Sequence, residues 1–198
     1  MIAKTADLTR YLYIPAKGVT LTITGDTTAG DTISSADALR YLQDAEAKIS
    51  RILGDVPYVF TRIATAYTAD AVAVVTDKIN TDDWSASGYL FFSGVNMAYT
   101  GVATTGFSGL SSSYSIPASP VGTFIIEGIG DFVVGNDEAK GYESELYRRL
   151  ELICKEAAYN IWVTRFSADE LPKMIDEWKE DVDRTLSRKS CGMGYVRP

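Results

Sequence analysis

The spacing of apolar residues changes character twice along this chain, and that change limits what it can fold into. Late in the sequence, Leu146, Leu150, Ile153, Ala157 and Ile161 recur at intervals of 4, 3, 4 and 4, which is one buried stripe of an α-helix. Leu171, Ile175, Trp178, Val182 and Leu186 repeat the pattern, with Lys173, Glu177, Glu180 and Arg184 facing the other way. Early in the sequence, Leu39, Leu42, Ala45, Ile49, Ile52 and Leu53 mark a third amphipathic helix. Between them, over residues 56–132, helix formers become rare and Thr, Ser, Gly, Tyr and Val dominate. The chain therefore reads as α+β: a small helical bundle of one early and two late long helices, with an inserted antiparallel β subdomain and an extended C-terminal tail. The expected boundaries are 1–56 for an extended segment plus the first helix, 57–135 for the β insertion, 136–188 for the late helices and 189–198 for the tail.

Local signals sharpen this plan. Ser34-Ser35-Ala36-Asp37 predicts a serine cap with an acid three residues on, and Gly54 predicts the stop of that helix. The first 33 residues read as extended, with Val19, Leu21 and Ile23 alternating against threonines as in a half-buried strand. Candidate strands in the insertion are 58–66, 71–76, 88–93, 96–100 and 123–127, with Gly94, Gly101, Gly106 and Gly109 at the turns. Residues 108–119 are serine-rich, and Pro117 and Pro120 predict a loop there. Pro172 suits the first turn of the last helix.

The sequence contains no histidine, which removes Ser–His and Cys–His nucleophile pairs, an imidazole base and imidazole metal ligands. Cys154 and Cys191 do not make a disulfide framework; they read as one buried and one surface thiol. No stretch approaches the apolar length of a membrane span, and the N-terminal residues lack an apolar signal core, so folding in a cytosol is expected. The net charge is −7, and residues 66–136 hold six acids against one base, Lys78. No basic stripe is present to follow a phosphate backbone, which argues against ordinary nucleic-acid binding.

Only carboxylates remain as plentiful reactive groups. Asp82 and Asp83 adjoin Trp84, but neighbours in a strand point apart and do not supply the paired carboxylates of a glycosidase, so a solvated turn is expected. Asp176, Glu177, Glu180, Asp181 and Asp183 crowd one helix, where pairing of Asp176 with Lys179 and of Glu180 with Arg184 fits a solvated face. The glycine pairs at Gly128 and Gly130 and at Gly192 and Gly194 lack the third glycine and context of a nucleotide site. Trp162 and Trp178 fall on helical stripes, leaving Trp84 as the freer tryptophan. No catalytic residue, cofactor or metal site is expected, and the chain does not read as an enzyme.

Two stretches carry a resemblance. The run Ala38-Leu39-Arg40-Tyr41-Leu42-Gln43-Asp44-Ala45-Glu46-Ala47-Lys48-Ile49-Ser50-Arg51-Ile52-Leu53 resembles the early helix of tailed-bacteriophage head–tail connector (adaptor, or head-completion) proteins, and 145–166 with 172–186 resemble that family's remaining helices. The run Ser87-Gly88-Tyr89-Leu90-Phe91-Phe92-Ser93-Gly94, continued by Met97-Ala98-Tyr99-Thr100-Gly101-Val102 and Thr105-Gly106-Phe107-Ser108-Gly109-Leu110, is similar to a small β module of phage virion proteins.

The resemblance implies a structural virion protein of the neck, assembled in the host cytoplasm. It implies a homo-oligomeric ring, commonly of twelve subunits, docked under the portal protein around the DNA channel and offering its far face to a stopper or tail protein. DNA would pass without specific binding, and no membrane is involved. Tyr147, Tyr159, Trp162 and Phe166 are then candidate subunit-interface residues. Cys191, Met193, Tyr195 and Arg197 form a candidate portal-binding tail, and Asp77, Asp82 and Asp83 are candidate lumen or rim acids that would repel phosphate. Two other readings stay open: a stopper or tail-terminator subunit, and a binding module that holds a glycan or peptide on Trp84, Tyr89 and Tyr99.

Overall fold

The structure is a computed structural model, and it describes residues 1–25, 30–128, 137–166 and 171–190. The fold is α+β; among the described residues it has four helices and several small sheets, antiparallel but for one pair. The chain divides into two compact units: Met1–Asp55 with Tyr147–Pro198, and Val56–Leu146.

The first unit opens on a short helix, α1 (Thr5–Leu8), followed by a 3₁₀ turn over Thr9–Tyr11. This corrects the expectation of an extended start: four residues are too few to show a period, and Leu8 and Leu12 are held by tertiary burial. The strand expected around Val19–Ile23 is also broken. β1 (Tyr13–Ile14) pairs antiparallel with β2 (Val19–Thr20), whereas β3 (Thr22–Thr24) pairs parallel with β4 (Thr32–Ser34). The chain changes partner at Leu21, whose side chain is buried.

Helix α2 (Ser35–Leu53) starts and stops where its sequence dictates. The Ser34 hydroxyl accepts from the Asp37 N–H at 3.0 Å and donates to the Asp37 carboxylate at 2.9 Å, satisfying a donor that the first turn leaves open. Ala38, Leu42, Ala45 and Ile49 form its buried stripe. Ile52, expected on that stripe, is exposed at the helix end. The orphan carbonyls there find a partner far along the chain: buried Arg149 donates to Gly54 O at 2.7 Å and to Leu53 O at 3.4 Å.

Helix α3 (Asp137–Val163) begins in the second unit and continues into the first from Tyr147. All five residues of its expected stripe are buried, as is Cys154. Helix α4 (Lys173–Ser190) follows directly on Pro172, whose carbonyl accepts from Ile175 N–H at 2.8 Å. Among its described side chains Ile175, Val182 and Leu186 are buried, and Trp178 sets its ring edge-on to Tyr11, with centroids 5.3 Å apart. The helix continues through Ser190 and so takes in the first two residues of the expected tail; the rest of that tail lies outside the described residues.

The second unit is built on a four-stranded antiparallel sheet in the order β5 (Phe60–Arg62), β11 (Phe124–Glu127), β7 (Gly88–Phe92), β8 (Val95–Tyr99). A three-stranded sheet adds β6 (Ala73–Val75), β10 (Gly106–Ser108) and β9 (Gly101–Ala103), in that spatial order. β7 and β8 are joined by Ser93 and Gly94 with φ of +50° and +78°, the left-handed pair of a tight two-residue hairpin. Gly101 and Gly106, expected at turns, instead open β9 and β10. The reason at Gly106 is close approach: φ is +151°, and a Cβ there would lie 2.1 Å from Val74 O. A hydrophobic core in this unit gathers Ile63, Val74, Leu90, Phe92, Met97, Phe107 and Ile125 among others.

Candidate functional site

The interface candidates separate by burial. Trp162 is fully buried in the first unit; its indole N–H donates to Tyr11 O at 3.0 Å, and its ring stacks at a tilt on Phe166 with centroids 5.6 Å apart. Trp162 is therefore a core residue, and its assignment to a subunit interface is corrected. Tyr147 is 41% exposed on α3. Tyr159 is half-buried beneath the Lys179 ammonium, 5.8 Å from the ring centre, and half-buried Phe166 carries the Lys17 ammonium at 4.9 Å. Three aromatics thus keep some open surface, and Tyr147 keeps the most.

The acid candidates lie in the second unit. Asp82 and Asp83 are exposed in a 3₁₀ turn, Thr81–Asp83, capped by the Asn80 side chain, which accepts from Asp82 N–H at 3.4 Å. Asp77 is half-buried, and its N–H donates to Arg62 O at 2.9 Å. Cys191, Met193, Tyr195 and Arg197 lie outside the described residues.

The aromatic platform of the binding-module reading is corrected. Trp84 is buried, with its ring edge-on to Phe107 at 4.7 Å, and Tyr99 is buried with its hydroxyl donating to Ser85 O at 2.8 Å. Only Tyr89 is half-buried. Two of the three rings are core, so they offer no stacking face to a sugar or peptide. Instead, among the described residues, Val72, Val75, Tyr114 and Val121 are the large apolar side chains that this unit exposes.

The sequence reading missed a charge network in the first unit. Glu156 of α3 is buried, and its Oε1 lies 2.6 Å from Lys48 Nζ of α2. Its Oε2 lies 3.5 Å from Lys179 Nζ of α4, a Coulombic contact with no hydrogen bond. Lys179 in turn holds Asp183 at 2.6 Å, and Asp183 lies 4.0 Å from Lys48. The four groups close an alternating ring of two cations and two anions across three helices. Beside it, Lys155 bridges Glu151 at 2.8 Å and Asp181 at 2.5 Å. Burial pulls both Lys155 and Lys179 down, but hydrogen bonds and charge from their carboxylates outweigh it and hold both above the ordinary lysine range. Within the helix, Lys179 turns to Asp183 rather than to Asp176, while Glu180 and Arg184 pair as expected at 3.8 Å.

Among the described residues no group of three or more metal-ligating side chains occurs, and no helix is long and apolar enough to cross a membrane. Comparison with protein-family models, with curated proteins and with solved structures finds no match for this chain.

Proposed function

We propose that this chain is a non-enzymatic structural subunit of a phage neck: a head–tail connector that assembles into a ring beneath a portal, around the DNA channel. The observation that carries the reading is the order of its parts. A helical unit made of α2, most of α3 and α4 is interrupted in sequence by a β-rich unit, Val56–Leu146, as in the resemblance drawn from the sequence. Two further features support it. Tyr147 presents a large aromatic side chain of the kind enriched at subunit interfaces. Asp82 and Asp83 present carboxylates that would repel a passing phosphate backbone.

Native mass spectrometry tests the assembly. The reading expects a closed ring near a twelvefold multiple of the 21.6 kDa chain, and expects Tyr147→Ala to shift it toward smaller species without unfolding it. A chain that stays monomeric at high concentration and with portal added contradicts it. A stopper or tail-terminator station would appear as assembly that needs a tail component rather than the portal.

A further inference from the structure

Helix α4 is an unusual partner for the rest of its unit. Over its 18 residues, only Ile175, Val182 and Leu186 are buried apolar side chains among the described residues. Two of its cross-helix contacts are ionic and belong to the alternating ring: Lys179 to Glu156 of α3, and Asp183 to Lys48 of α2. The third is Asp181 to Lys155 of α3. The ring is not sealed. The Lys48 and Asp183 side chains are 38% and 52% exposed, and both line an open groove of about 390 Å³ together with Ile52, Leu186 and Ser187. Mobile ions can therefore reach one side of the ring, while Glu156 on the other side stays buried.

We propose that α4 is an ionically latched element. It detaches from α2 and α3 as a unit when the latch is screened or loses one lysine charge, while α2 and α3 stay folded. Removing Lys48 leaves the Glu156 carboxylate buried with only the 3.5 Å contact to Lys179, which favours the open state, where that carboxylate is hydrated. By contrast, α3 keeps its apolar stripe, and Trp162 anchors it to Tyr11. This inference goes beyond the connector reading and does not depend on it.

Hydrogen exchange read by mass spectrometry on the full chain tests it. Between about 0.05 M and about 1 M sodium chloride, amides of α4 should exchange about tenfold faster while those of residues 150–162 stay unchanged. Lys48→Met should give faster α4 exchange already at low salt and weaken the salt response, the Lys155–Asp181 and Lys179–Glu156 pairs remaining to be screened. Glu180→Gln, which removes an exposed pair with Arg184, should change neither. If α4 ignores salt, or if α3 and α4 accelerate in step, the latch does not exist. Should Lys48→Met fail to fold, the salt series on the unaltered chain decides the matter alone.

Discussion

The indole N–H of Trp162 donates to the main-chain carbonyl of Tyr11 at 3.0 Å, joining the end of α3 to the 3₁₀ turn at the start of the chain. The indole is fully buried, so this bond is made away from water, where an unpaired carbonyl is costly. Trp162→Ala should destabilise the protein by about 3–5 kcal/mol, and Trp162→Phe by less, since it keeps most of the packing and loses the donor. Urea unfolding measures both. Variants that lose assembly at wild-type stability would return Trp162 to an interface.

Arg149 closes α2 from a distance of 95 residues, with its guanidinium on Gly54 O. Arg149→Met should cost about 1–3 kcal/mol, because it strands carbonyls that the helix end cannot satisfy itself. The loss should fall on the first unit, read as faster exchange in the last turn of α2.

At Gly106 the neighbouring strand lies where a side chain would begin. Gly106→Ala should open the pairing of β10 with β6 and cost more than about 1 kcal/mol, since both the backbone angle and the space forbid a Cβ. Trp84 lies against Phe107, so its fluorescence should report the change.

Lys155 and Lys179 give alkaline pH a defined effect. Both are held above the ordinary lysine value of 10.5 in the folded state. Their contribution is thus complete below that value and is lost as pH rises through the folded value. Burial also raises the Tyr11, Tyr67 and Tyr99 phenols, and ionising those groups destabilises in the same direction. A stability profile from pH 9 to 11.5 should fall at its upper end, and Lys155→Met should make that fall shallower. An unchanged slope would mean that the lysine pairs carry no net stability.

What could be read from the sequence divides along physical lines. The long helices were legible because their signals are local: the Ser34 cap, the Gly54 stop and the stripe through Ile153 and Ile161. Five strands of the β unit were legible from composition. β9 and β10 were not, because glycines that permit close approach look like glycines that permit turns. Trp84 stood among polar residues and so looked free, yet a long-range contact with Phe107 buries it. The charge ring was hidden for the same reason: Lys48 and Glu156 are 108 residues apart, and only the packing of the helices brings them together.

The central claim is assembly on a portal. Negative-stain imaging of the purified protein, alone and mixed with the portal protein from the same genome, tests it most directly. The connector reading predicts rings, or a new collar on one face of the portal, with a shared symmetry. Bare portals beside a dispersed monomer would contradict it.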